Sequence, residues 1–185
     1  MLSYDDEYEI DSLPIHNAAM FRKVSGAYTT IANASTVFDY LPDNFNIDDC
    51  FIVGVANTPL ARSWWHNIIF NVGTPLVADA VTAIYEYTYV YNSDSWKELP
   101  NVIDTTNIFQ NAGEGGIYFE HPLDSLRGLV NGASRIYVRI RITGVTNPSE
   151  GGANNTDKVK VRTGDLRHTD VATRTLAQLY AADIA

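Results

Sequence analysis

The sequence predicts a mostly β chain folded as a single antiparallel β-sandwich of jelly-roll-like type, and three observations carry that prediction. Tyr85, Tyr87, Tyr89 and Tyr91 recur at every second position. Ile136, Val138, Ile140 and Ile142 do the same, with Arg139 and Arg141 between them. Clusters of Gly, Pro and Asn cut the chain into short apolar segments, with no alternation of strands and helices. Side chains two apart share a face only on a strand, and many short strands between such turns favour a sandwich over a parallel α/β sheet. With 185 residues the chain suits one domain with extensions rather than two domains.

Taken in order, residues 1–24 read as an extended arm. They mix charges without a sustained period, and Pro14 interrupts them. The apolar Leu13, Ile15, Met20 and Phe21 are candidates for contact with a neighbour, since an arm orders only where it finds a surface. The sandwich is expected over 25–146. Ala27–Ile31 is short, β-branched and bounded by Gly26 and Asn33, while Tyr40–Asn44 reads as a turn. Cys50–Val55 is a continuous apolar strand, and His66–Phe70 follows as another. The Ala-rich stretch 76–83 is either a helical turn or the lead into the next strand.

That next strand, Ile84–Tyr91, sets its four tyrosines on one face, as core first and interface second. Trp96–Leu99 looks like the return leg of a hairpin, and Gly113–Gly116 like a turn before Ile117–Glu120. In Ile136–Thr143 the aliphatic residues face inward and Arg139 and Arg141 outward, as in a sheet with one solvated face. Residues 147–185 begin with a Pro/Ser/Gly/Asn linker. An edge strand at Lys158–Arg162 and a short helix at Asp170–Ala182 follow, the helix capped by Thr169. Leu176 and Leu179 on that helix need a partner surface, for which another subunit is the expectation.

The formal net charge is −9, and no cluster of Lys and Arg offers a surface to nucleic acid or an anionic membrane. An acidic surface suits a protein that must stay soluble before assembly. No apolar run reaches the length of a membrane span, and the acidic first residues lack the basic start and apolar centre of a signal peptide. Synthesis in the cytoplasm is therefore expected. The single Cys50 leaves no disulfide framework and is expected to be a buried thiol.

Chemistry is sparse. His16, His66, His121 and His168 have no metal-ligand spacing from one another or from Cys50. No Gly-x-Ser-x-Gly elbow occurs, and Gly113–Gly116 is not followed by the Lys-Ser/Thr of a phosphate loop. The acidic stretch 43–49 lacks the Asp-x-Asp-x-Asp-Gly order of a calcium loop. No enzyme activity, metal or cofactor is expected. Trp64 and Trp65 read first as core residues, then as candidate contact residues for a protein neighbour, and last for a sugar ring.

One set of strand ends resembles a known family. Tyr85-Glu86-Tyr87, Trp96-Lys97-Glu98-Leu99, Asp104-Thr105-Thr106 with Phe109, Ile117-Tyr118-Phe119 with Pro122, and Tyr137–Arg141 are similar to a β-sandwich module of tailed-bacteriophage structural proteins. Tyr137 and Leu123-Asp124 stand where that pattern would carry tryptophans. The resemblance implies a non-enzymatic virion protein. A decoration or cement protein on the capsid surface is the leading expectation, bound to the major capsid protein and to copies of itself as a homotrimer. A tail-fibre, baseplate or receptor-binding module recognising a host glycan is the alternative.

Overall fold

A computed structural model describes residues 5–9, 19–31, 38–42, 44–55, 64–120, 122–148 and 155–164. These form thirteen strands: β1 (Asp5–Glu9), β2 (Ala19–Val24), β3 (Ala27–Ile31), β4 (Phe38–Asp39), β5 (Cys50–Val55), β6 (Trp64–Thr74), β7 (Ala80–Thr88), β8 (Trp96–Glu98), β9 (Ile103–Asp104), β10 (Gly113–Tyr118), β11 (Gly128–Val130), β12 (Ala133–Thr146) and β13 (Asn155–Gly164). No helix occurs among the described residues, and every strand pairing is antiparallel.

Two sheets result. The first runs β1-β13-β6-β10-β9, with β4 also on β13; the second runs β3-β2-β5-β12-β7-β8, with β11 also on β12. One apolar cluster draws on both. Ile68, Phe70 and Val72 come from β6 and Ile117 from β10, while Phe51 and Val53 come from β5 and Val138, Ile140 and Ile142 from β12. At its centre Tyr40 stacks on Phe109 with ring centroids 4.1 Å apart, and Phe51 and Phe70 meet the pair edge-on. Offset and edge-on rings align the negative face of one with the positive rim of another.

The alternation in β12 holds residue by residue: Val138, Ile140 and Ile142 enter the shared core, and Tyr137 faces the other way. That other side is not simply solvated. Tyr137 is fully buried there with Phe21, Cys50, Ile52 and Val130 in a second cluster, joined by Tyr28, Trp96 and Ala133. The continuous apolar run of β5 follows, because both faces of that strand are covered. Gly54 lies directly opposite Tyr137 in the register, and the Tyr137 ring occupies the space that a Cβ at Gly54 would fill.

Two hairpins are set by their turns. Ser25-Gly26 joins β2 to β3, and Asn131-Gly132 joins β11 to β12, with positive φ at all four residues. Paired positive φ values match the twist of the flanking strands, and Gly and Asn tolerate them best. A third local structure holds Phe109 in the core. Asp104 accepts four hydrogen bonds, from Thr106 N and Oγ1, from Ile108 N and from Tyr85 OH, at 2.6–2.8 Å. They brace Asn107, Ile108 and Phe109, which are left-handed in succession.

Several expectations change. The tyrosine-bearing strand ends at Thr88, so Tyr85 and Tyr87 pack on the core while Tyr89 and Tyr91 stand exposed. The supposed turn at Gly113–Gly116 is the first part of β10, bonded to β6. Side chains there are too small to show alternation, and Gly116 leaves room for Ile69. Tyr40, Leu41 and Phe45, read as a turn and its flank, are buried. Of the two readings of the Ala-rich stretch, residues 80–83 take the one that leads into the next strand. Lys158–Arg162 belongs to β13, which is flanked by β1 and β6 and so is an inner strand. The linker at 149–154 and the expected helix at Asp170–Ala182 lie outside the described residues.

Candidate functional site

Of the sequence-predicted contact residues, Met20 and Phe21 are the two whose side chains lie among the described residues. Met20 and Phe21, assigned to the arm, are 2% and 3% exposed on β2, which pairs with β3 and β5. Their apolar side chains are consumed by the molecule's own two clusters and are not available to a neighbour. Part of the expected arm is thus sheet, and the backbone of Asp5–Glu9 also pairs, as β1 with β13. Trp64 and Trp65 begin β6, where their backbones pair with Gly164 and Thr163. Leu13, Ile15, Leu176 and Leu179 lie outside the described residues.

Two surface features stand out instead, and both belong to the second sheet. The first grows from the cross-strand register. Arg139 is opposite Glu86 on β7, and Arg141 lies two residues further along the same face of β12. The Glu86 carboxylate accepts from Arg139 Nε at 2.8 Å and Arg141 Nε at 2.9 Å. Arg141 also donates to Asp48 at 2.7 Å. Burial alone would raise the pKa of Glu86, but the hydrogen bonds and charges of the two guanidiniums outweigh it and hold the carboxyl below its ordinary range. The Arg139 guanidinium packs over the Trp96 ring, 4.2 Å from its centroid, as cations do on aromatic faces.

Above this group opens a cleft of about 460 Å³, lined by Lys23, the Ser25-Gly26 turn, Ile47, Asp48, Asp49, Arg139 and Arg141. Asp49 is buried, and its carboxylate fixes the cleft wall by accepting from Ser25 N at 2.7 Å and Asn46 N at 2.8 Å. Cys50, buried beneath, has its thiol pushed up to about 11 by burial, against the opposing pull of Arg139 and Lys23.

The second feature is apolar. Beyond the end of β7, residues 88–93 run beside residues 126–129. Leu126 N donates to Thr88 O, Asn92 N to Arg127 O and Leu129 N to Ser93 O, at 2.8–3.1 Å. Tyr89, Val90, Tyr91, Leu126 and Leu129 stand exposed on these two segments, Tyr91 to 65%. Single exposed apolar residues need no explanation; here five fall on two adjoining segments.

Sequence reasoning missed both features. The sequence reading names Glu86 only within Tyr85-Glu86-Tyr87 and gives it no partner, although a carboxylate on a strand in a chain with an Arg-x-Arg strand is a pairing signal. The apolar surface was hidden by extending the strand through Tyr91. Among the described residues no group of three or more His, Cys, Asp or Glu side chains gathers to hold a metal ion, and no helix is long and apolar enough to cross a membrane. No protein-family model matches the chain, and no curated protein matches it.

Proposed function

We propose that the chain is a non-enzymatic structural protein of a tailed-phage particle. In this reading it is one β-sandwich of jelly-roll-like type, placed on the capsid surface as a decoration or cement protein. Its partners are the major capsid protein and further copies of itself in a homotrimer. The observation that carries the reading is the exposed apolar surface of Tyr89, Val90, Tyr91, Leu126 and Leu129. Exposed apolar residues grouped on adjoining segments are what a protein working by contact with neighbours presents. The larger apolar cluster, which draws on both sheets, supports the sandwich, and the acidic balance supports solubility before assembly.

The test has two parts. Copy number in purified particles, relative to the major capsid protein, should be comparable to that protein. A small fixed number would move the chain to the tail, and absence would sink the virion reading. The double variant Tyr91→Ser, Leu126→Ser should keep its thermal midpoint and lose attachment to particles. Undiminished attachment would remove the apolar surface from the mechanism.

A further inference from the structure

The cleft on the outer side of the second sheet holds more hydrogen-bond donors than the protein's own carboxylates engage. Glu86 is taken by the Nε atoms of Arg139 and Arg141. Asp49 is taken by two backbone N–H groups. Asp48 is engaged through one oxygen by Arg141. On the other side of the balance, Arg139 uses its Nε alone, and its terminal nitrogens have no acceptor among the described residues. Lys23 has no carboxylate within ion-pair distance among the described residues; its ammonium rests 4.9 Å over the Tyr28 ring.

These donors are also held in place. The Arg139 side chain is 11% exposed, pinned along one edge by Glu86 and along one face by Trp96. A guanidinium fixed in this way presents its remaining N–H groups as a planar fork, the geometry that matches a carboxylate. Preorganised donors lose little entropy on binding. The cleft volume of about 460 Å³ falls within the roughly 300–1,000 Å³ of small-molecule sites. Asp48, 73% exposed at the mouth, works against a second negative charge on the same group.

We propose that this cleft is a binding site for a carboxylate, gripped between the terminal nitrogens of Arg139 and the ammonium of Lys23. The inference stands independently of the assembly reading. The carboxylate is either that of a small organic acid or the side chain of an Asp or Glu on another copy of this acidic chain, and the chemistry of capture is the same.

The full chain at low ionic strength is titrated with succinate and, separately, with inorganic phosphate, following the amide resonances of Ser25 and Gly26; sedimentation gives the association state. Saturable succinate shifts on a monomer, weakened at least tenfold in Lys23→Gln and retained in Lys23→Arg, support a small-acid site. No succinate response, with low-salt self-association abolished in Lys23→Gln, supports capture of a carboxylate from another copy. Ile47→Asp, at the exposed rim, adds a charge without touching the core and should weaken either mode, which keeps the test valid if the Lys23 variants fold poorly. The absence of both succinate binding and Lys23-dependent association would overturn the proposal, as would phosphate binding as tightly as succinate.

Discussion

Glu86→Gln tests whether the paired guanidiniums depend on a buried negative charge. In the native chain the Glu86 side chain is 9% exposed and bridges Arg139, at 11%, and Arg141, at 25%. Removing one partner of a buried pair costs about 3–5 kcal/mol, because the remaining charge stays desolvated and unpaired. Two features pull the value to the lower end. Arg141 keeps Asp48 at 2.7 Å, and the glutamine carbonyl still accepts one hydrogen bond. The expected loss is about 3 kcal/mol, and with a urea slope of about 2 kcal/mol/M the midpoint falls by about 1.5 M. The pH dependence gives a second handle. Because the folded-state pKa of Glu86 is lowered from the ordinary 4.5, the unfolded chain takes up the proton first as pH falls. The difference between native chain and variant is then full above about pH 5 and shrinks as pH drops through the lowered value. Urea titrations at pH 7 and at several points below 4.5 read both. A midpoint shift under about 0.3 M, or a difference that persists unchanged in acid, would refute the account of Glu86 as the neutralising centre of this group.

Gly54→Ala should destabilise the fold by about 1–3 kcal/mol, since the Tyr137 ring already fills the site of the new methyl; thermal unfolding checks it, and an unchanged midpoint would mean the ring moves aside freely. Asp104→Ala strips four hydrogen bonds from the loop that carries Phe109 and should cost about 3 kcal/mol, read by urea denaturation with Tyr85→Phe as the milder control. Cys50, buried and with its thiol pushed up to about 11, should resist alkylation at pH 8 in the native state and react fully in urea; rapid native labelling would place it nearer the surface.

Where a strand carries alternation or a continuous apolar run, the sequence was enough. Strands β3, β5 and β12 were legible because β-branched, aliphatic and aromatic side chains register the two faces directly. Strand β10 was not, because three of its six residues are glycines with no side chain to alternate. Tyr40 and Phe45 escaped for a different reason: loop residues have no period, so nothing local says that their rings are swallowed by a distant core. The Asn131-Gly132 hairpin carries a local Asn-Gly signal that the sequence reading passes over, whereas the Glu86 group needed the β7–β12 register, which joins residues 53 positions apart. The same holds for the cleft, assembled from the β2–β3 turn, the loop before β5 and the middle of β12.

The place of β13 in the first sheet bears on how the chain is made. It lies between β1, near the start of the sequence, and β6, so Asp5 pairs with Gly164. Until residues 155–164 leave the ribosome, β6 has β10 on one side and an open row of backbone donors and acceptors on the other. Closing loops of this length is slow, and an unpaired strand edge invites association with other nascent chains. The first sheet is therefore completed by the late insertion of β13 between β1 and β6, and a nascent chain stalled before Asn155 should be the species most in need of a chaperone.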